Sequence, residues 1–559
     1  MKIIEKKSRA FYIVLLLILA LPAFSKLLKP GYFPMHDDMQ AMRLLQLDKC
    51  VSDWQIPCRW VPDMGYGYGY PQFNYYSPLP YYSMEAFHLI GFSYLDSVKA
   101  FFVLSVVLSA IGMYLLGEAL WGKVGGFISS LIYIYAPYRA VDMYVRGAVG
   151  EIAAFAILPF IFLYSKQVVD GNKKAILGLA VSLATLFTSH NITTLILVPF
   201  LILWVIVLVF TNKKDFPTSY SQLKNFVFSF IWGFLISAFF LLPAWFEKRY
   251  VHVETLLVGY FNYINHFVGI NQLLFQTQWG YGTSEVGPYD DLLLGVGILQ
   301  WVLPIVAVTL LYILKKTKAA RMTFFLTLMG WFALFMIHPR SQFLWDRIHL
   351  LAFVQFPWRF LLVATFLFSM VAGAFAKLFP RRNNTTITLL IFFVMVVLFI
   401  NASYFTPRIW INTTDSEKFS GSEWQRQQTI SIYDYLPIYA DKPPASVAPD
   451  KPEVSDGEVQ IVNGSKGSNW QKWKLTVASP TAVIQLPIFY FPTWVVFVDG
   501  KEESFTYDNN LGLITLNLPE GNHALEAKLT DTPLRTFSNL LSLSGLIAVP
   551  VFIKKKKYL

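Results

Sequence analysis

Charge is scarce in this chain: only 14% of its 559 residues are Asp, Glu, Lys or Arg, while 55% are hydrophobic. With a mean hydropathy of +0.46, this composition excludes an ordinary soluble globular protein and points to a polytopic membrane protein. Cysteine is almost absent, with Cys50 and Cys58 alone, so a disulfide scaffold is excluded. Both fall in one loop, and their spacing leaves open whether they bond. Several chemical motifs are also missing. The chain has no phosphate-cradling Gly-rich loop ending in Lys-Ser/Thr, no HExxH and no zinc-type Cys/His spacing. The GYGYGY run at 65–70 lacks the strand and helix context of a dinucleotide site and reads as a turn-rich loop. A repeat of 20–50 residues is absent too, which excludes a solenoid.

Acidic residues are outnumbered, 35 to 46, giving a net charge of +11. The basic residues sit largely in short loops, as in KKTKAAR at 315–321, and in the KKKK run at 554–557. Such a pattern reports membrane topology and contact with anionic lipid rather than nucleic acid.

What is present is a series of long apolar runs. Phe11–Leu28 follows Lys2, Lys6, Lys7 and Arg9, which places the N-terminus in the cytoplasm; a cleaved signal peptide with Ala20, Ala23 and Ser25 near its cleavage point is the alternative. Further spans are expected at 98–117, 124–138, 149–165, 174–190, 192–211, 224–245, 291–314, 321–338, 355–378, 385–402 and 536–553. Basic clusters at Lys166 with Lys173–Lys174, Lys213–Lys214, Lys315–Arg321, Lys377 with Arg381–Arg382 and Lys554–Lys557 belong inside. Parity then makes Tyr76–Phe92, which carries Glu85 and His88, an interfacial helix with Tyr75, Tyr76, Tyr81 and Tyr82 at headgroup level. About 12 spans with both termini cytoplasmic result, with 13 as the rival count. The long loops 29–97, 138–149, 246–290, 338–355 and 403–535 gather outside. The fold class is mainly α with a C-terminal extracytoplasmic β-sandwich. Its divisions are a transmembrane domain at 1–402, a β-rich domain at 403–535, and a final helix with a basic tail at 536–559. Within 403–535, Val495–Lys501 alternates and turns at Asp499–Gly500, a hairpin signal. Thr515–Leu529 repeats that pattern around Glu520–Gly521, and Glu458–Val462 and Trp470–Val477 read as strands.

The candidate chemistry lies at outer membrane edges. His36, Asp37 and Asp38 stand immediately beyond the first span. Carboxylates held close to lipid are costly unless used, and two adjacent ones raise each other's pKa, which suits a base for an acceptor hydroxyl. A solvated loop, or a cap on Met39–Leu47, is the simpler alternative. The stretch APYRAVDMYVRGAVGE, Ala136 to Glu151, holds Arg139, Asp142, Arg146 and Glu151. The first three recur at spacings of three and four, so one helical face can carry them, and arginine forks match phosphate oxygens. A salt-bridged interfacial turn is the alternative. Arg359 opens an outside-to-inside span, either snorkelling or meeting a lipid phosphate. Ser189-His190-Asn191 is a polar link between spans, a capping turn or a substrate contact. Loop 246–290 adds His252, His266, Gln278, Trp279, Tyr281 and Glu285, whose aromatics stack on sugars or float at the interface.

In their order, HDD, SPLPYY, APYRAVDMYVRGAVGE, SHN and FPWRF resemble the membrane proteins known as 6-pyruvoyl-tetrahydropterin synthase-related. The ending FYFPTWVVFVDGKEESF with LPEGNHALEAKL is similar to the C-terminal module of YfhO-like proteins. Both resemble the C-type glycosyltransferase (GT-C) fold. The resemblance implies a cell-membrane transferase, moving a sugar from a polyprenyl-phosphate donor to an extracytoplasmic glycan, lipid or protein with inversion. It implies Asp37 or Asp38 as base, and Asp142 or Glu151 as a second acidic contact. Arg139, Arg146 and Arg359 would hold the lipid phosphate, with His36, Glu85, His190 and Asn191 as further substrate contacts. Some relatives need a divalent cation, Mg or Mn, for which Asp37, Asp38 and Glu85 offer oxygen ligands. A transporter or flippase of a lipid-linked anionic solute, and a non-catalytic envelope assembly factor, are the competing classes. The ionisable residues gather at the outer boundary rather than mid-span, which speaks against transport.

Overall fold

The structure is a computed structural model that describes residues 8–211, 216–287, 290–379 and 383–555. The topology-setting residues Lys2, Lys6, Lys7, Lys213, Lys214, Arg381, Arg382, Lys556 and Lys557 lie outside the described residues. Among the described residues eight helices are long and apolar enough to cross a membrane. They are Arg9–Leu28, Tyr94–Trp121, Val149–Val169, Asn191–Thr211, Pro217–Phe246, Pro357–Lys377, Asn384–Tyr404 and Pro533–Lys554. Thr317–Phe335 with Pro339–Arg347, bent by 92°, makes a ninth if counted as one span. Three shorter apolar helices, Lys123–Ile134, Ala175–Ser189 and Ile298–Ile313, fall within the remaining expected spans.

Local chemistry explains the shortening. Lys123–Ile134 stops because Ala136, extended at φ −67° and ψ 130°, precedes Pro137, and a residue before proline is pushed out of the helical region. The span expected at 291–314 begins only at Ile298, behind Gly297 at φ +95°. The helix Leu79–Leu89 has 11 residues, which is too short to cross.

The chain divides into two compact units. The first comprises residues 1–38, 95–234 and 257–412. Small residues let its helices approach closely: a Cβ on Gly117 would stand 2.9 Å from Gly126 Cα, and one on Gly125 would stand 2.8 Å from Gly373 O. Polar side chains join the same helices, Trp121 Nε1 donating to Met370 O at 2.8 Å and Asn401 Nδ2 to Tyr135 O at 2.9 Å. In lipid each such bond satisfies a group that has no water to turn to.

The second unit comprises residues 39–94, 235–256 and 413–559. A disulfide joins Cys50 and Cys58 here, with Cα atoms 5.6 Å apart. Its sheet is antiparallel, built from β1 Glu453–Asp456, β2 Val459–Lys466, β3 Trp470–Phe489, β4 Trp494–Val498, β5 Lys501–Glu503 and β6 Leu513–Leu529. All six strands belong to one hydrogen-bonded sheet, ordered β1-β3-β6-β4-β5 with β2 on β3. The hairpin at Asp499–Gly500 forms, with φ of +53° and +81° as a two-residue primed turn requires. The second expected hairpin does not form, because β6 runs straight through Glu520–Gly521. There the pairing jumps from Val477↔Gly521 to Thr481↔Pro519. The buried set changes phase with it, from the even positions Ile514, Leu516 and Leu518 to the odd positions Leu525, Ala527 and Leu529. The Pro-Glu-Gly run therefore lies opposite a bulge, with two extra residues on β3, where the strand's faces flip and its direction does not reverse.

A buried ion pair anchors this unit. Arg535, fully buried, donates through Nε to Glu247 Oε2 at 2.8 Å. Thr532 Oγ1 donates to Glu247 Oε1 at 2.6 Å and Asn74 Nδ2 to Oε2 at 2.9 Å.

Candidate functional site

The site residues other than Glu85 all lie in the first unit. The segment leading to His36 is tied down before the acids begin. Tyr32 and Ile411 exchange backbone hydrogen bonds at 2.8 Å in both directions. Trp410 Nε1 donates to Pro30 O, and the buried Lys99 ammonium donates to Lys29 O and Gly31 O. The next residues pair with the second motif: His36 N donates to Val145 O at 2.9 Å and Asp37 N to Arg146 O at 3.0 Å. Segments far apart in the sequence are thereby fixed side by side.

The partner segment is built for that contact. Pro137–Val141 is a short helix, continued by a single wide turn, Asp142–Arg146, of the π type. Such turns cluster at functional sites. Gly147 ends it in the left-handed region at φ +67°. A Cβ there would stand 2.0 Å from Met35 Sδ, so glycine, which also suits the left-handed angle, lets Met35 lie over the turn.

Four charged side chains then meet. Arg146 bonds Asp142 through Nη1 and Glu151 Oε1 through Nη2, the latter at 2.8 Å. Arg359 Nε lies 3.3 Å from Glu151 Oε1. Tyr138 OH donates to Glu151 Oε2 at 2.6 Å and accepts from Arg146 Nη1 at 3.1 Å. Glu151 sits in the first turn of Val149–Val169, where the helix dipole favours a carboxylate. The Arg146 guanidinium lies over the Trp358 ring, 4.5 Å from its centroid. Arg146 and Arg359 each keep a small part of their side chain exposed, whereas Asp142 and Glu151 are buried. Among the described residues Asp142 Oδ2 has no hydrogen-bond partner. Burial, with Glu151 adding to it, pushes the Asp142 carboxyl well above the usual range against the pull of Arg146 and Arg359.

The other candidates fall around this cluster or away from it. Half-buried Asp37 and Asp38 continue from His36, and the helix that follows, Gln40–Ser52, has Met39 rather than an aspartate as its N-cap. His36 Nε2 donates to Tyr281 O at 3.1 Å. Desolvation of its ring, and less strongly the charge on Arg146, lower its pKa, while the bond to Tyr281 works the other way. His190 Nδ1 accepts from Thr193, and Gly150 leaves room for its ring, since a Cβ there would stand 2.7 Å from His190 Cδ2. Asn191 begins the helix Asn191–Thr211 and is exposed. The Arg139 guanidinium lies over the rings of Tyr133 and Phe155 and donates to Tyr133 O and Ser109 Oγ. Glu85 belongs to the second unit, buried on Leu79–Leu89, where burial first and Asp48 second push its carboxyl up to about 7. Loop 246–290 divides as well. Tyr281 stays with the His36 segment, His266 bonds Ser284, which accepts from Trp358 Nε1, and His252 lies in the second unit. Tyr138, Gly147 and Trp358 are members that pattern reading passed over. Only the Gly-Ala step after Arg146 hinted at the close backbone approach.

Asp37 and Asp38 offer at most two adjacent carboxylates to a divalent cation. Among the described residues no group of three or more His, Cys, Asp or Glu converges to hold one. This donor set does not fit a protein-built metal cage.

Known proteins resemble parts of this chain. An uncharacterized protein of Lactococcus lactis subsp. cremoris (strain MG1363) is 26% identical over 297 residues, which are 49% of this chain and 45% of that protein. The chain thus matches less than half the length of that relative. Two structures of the arabinofuranosyltransferase AftD from Mycobacteria align with 13% identity. Their TM-scores are 0.41 and 0.39; the alignments cover 73% and 72% of this chain and 28% of AftD. Residues 73–268, which include Arg139 to Asn191, match a family model described as a 6-pyruvoyl-tetrahydropterin synthase related domain of a membrane protein.

Proposed function

We propose that this chain is an inverting integral-membrane glycosyltransferase, taking a sugar from a polyprenyl-phosphate carrier to a hydroxyl of an extracytoplasmic glycan, lipid or protein. The observation that carries the reading is the backbone pairing of His36–Asp37 with Val145–Arg146. It holds two half-buried carboxylates beside a cluster of arginines whose edges solvent still reaches. Acid beside guanidinium is what transfer from a phosphate leaving group demands: a base for the nucleophile and fixed positive charge for the departing anion.

In the proposed reaction Asp37 or Asp38 accepts the proton of the acceptor hydroxyl. The hydroxyl oxygen attacks the anomeric carbon from the face opposite the phosphate, and the carbon–oxygen bond to phosphate breaks with its electron pair leaving on oxygen. Configuration inverts. Arg146 and Arg359 hold the phosphate, with Glu151 spacing them, while His190 and Asn191 border the sugar. Arg139, which donates through Nε to Tyr133 O and through Nη1 to Ser109 Oγ, supports the turn. Both termini are proposed to be cytoplasmic, with His36–Asp38 and the turn Asp142–Arg146 at the outer membrane face.

The test is transfer from a panel of radiolabelled polyprenyl-phosphate sugars in membranes holding the full chain. Label entering a new product, and only when the chain is present, supports the reading. No product and no donor retention across the panel rejects it.

A further inference from the structure

The arginines of the site are not bare. In the structure Asp142 occupies one Nη of Arg146, and Glu151 occupies the other while also touching Arg359. Two cations face two anions, so an incoming phosphate adds negative charge to a group that is already neutral overall. One of the two carboxylates has to yield.

The geometry singles out Asp142. Glu151 accepts from Arg146 and the Tyr138 hydroxyl and forms an ion pair with Arg359, so its charge stays supported on three sides. Asp142 leans on Arg146 through Oδ1, while its Oδ2 is buried and, among the described residues, without a hydrogen-bond partner. A buried carboxylate oxygen lacking a donor is costly when charged and inexpensive when it carries a proton. The other charged or titratable groups around it are Tyr138 and Arg139 on its own segment, Glu151 and Arg359 from neighbouring helices, and His190 and His36 beside Arg146 and Arg359. Arg139 donates to Tyr133 and Ser109, and the pKa of both histidines is lowered, chiefly by desolvation, with Arg146 adding to it at each.

We infer that Asp142 is a displaceable counter-ion: when an anionic phosphate group binds Arg146 and Arg359, Asp142 takes up one proton from solvent and releases its hold on Arg146. This inference rests on the phosphate-binding reading of the site. It adds that ligand binding is coupled to a proton and that Asp142 is a positioning residue, keeping Arg146 oriented until the phosphate arrives. The already high proton affinity of Asp142 agrees with it.

Linkage sets the sign. If the bound state holds one more proton than the free state, affinity rises by about tenfold for each pH unit lowered across the window between the two pKa values. The probe is methyl geranyl phosphate, a phosphodiester that keeps one charge from about pH 5 to about pH 8, so its own titration does not contribute. Calorimetry on the full chain in detergent, in buffers of different ionisation enthalpy, should register uptake of about one proton per ligand. Asp142→Asn should bind with little pH dependence, at least as tightly as the native chain at low pH. His36→Gln should keep the native slope. Binding with a flat pH profile and no proton uptake in the native chain overturns the Asp142 inference and leaves the phosphate site standing. A slope that survives in Asp142→Asn also overturns it. Absence of binding at every pH removes the phosphate site and this inference together.

Discussion

Replacing Glu151 by glutamine tests whether the site is held together as described. The native carboxylate receives Arg146 at 2.8 Å, Arg359 at 3.3 Å and Tyr138 at 2.6 Å, with only 2% of its side chain exposed. The amide keeps the shape and one acceptor oxygen, so Tyr138 remains bonded. The charge is lost, and two guanidiniums in low dielectric lose a shared partner. Breaking a buried ion pair from one side costs about 3–5 kcal/mol, because the remaining charge is left uncompensated. Asp142 still neutralises Arg146, so the loss should fall near the lower end, about 3 kcal/mol. Denaturant titration of the full chain in mixed micelles reads it directly. Pairing Glu151→Gln with Arg146→Gln should recover part of the loss, with a coupling of about 1–3 kcal/mol. A single-variant loss below about 1 kcal/mol, the range of exposed ion pairs, would refute the buried cluster.

Glu247→Gln should destabilise the second unit by about 3–5 kcal/mol, and Glu247→Gln with Arg535→Gln by less than the sum of the single variants, measured by the same titration. Gly147→Ala should place a side chain against Met35 Sδ at a backbone angle of φ +67°, shifting His36–Asp38. Transfer should fall by roughly a hundredfold, the scale of a misplacement of about 1 Å, while the unfolding midpoint moves little. Glu85 predicts a pH trend. Its folded pKa of about 7 lies above the ordinary glutamate value, so the folded state binds more protons than the unfolded one between the two. Its contribution is therefore present at low pH and is lost as pH rises through about 7. Thermal unfolding against pH should show this decline, and Glu85→Gln should flatten it.

How much of this was legible in the sequence depends on the range of the interaction involved. Eight of the expected spans, the short helix around Glu85 and the Asp499–Gly500 hairpin follow from local pattern and turn chemistry and are in place. The runs at 124–138, 174–190 and 291–314 hold shorter helices and that at 321–338 a bent pair. The Glu520–Gly521 turn misled because the same residues serve a bulge when a partner strand shifts register beside them, which no local signal encodes. The acids at 37–38 and the charged stretch 139–151 stood out because charge at a membrane edge is costly. Their juxtaposition was invisible, since it depends on backbone bonds between distant segments and on Met35 lying over Gly147. Helical spacing placed Arg139, Asp142 and Arg146 on one face. In the structure Asp142–Arg146 is a turn wider than an α-helix, and the Arg139 guanidinium packs against Tyr133 and Phe155. Likewise, nothing in the composition near Glu247 announces Arg535, 288 positions further along the chain.

The central claim is that a carboxylate in the His36–Asp38 segment is the base for a sugar transfer whose donor phosphate rests on Arg146 and Arg359. The most direct test measures donor binding and transfer side by side in the native chain, Asp37→Asn and Asp38→Asn. Transfer should fall by about 10²–10⁴-fold in one of the two variants, the scale of a lost general base, with donor affinity nearly unchanged. Full transfer in both variants and in the double variant would contradict the claim.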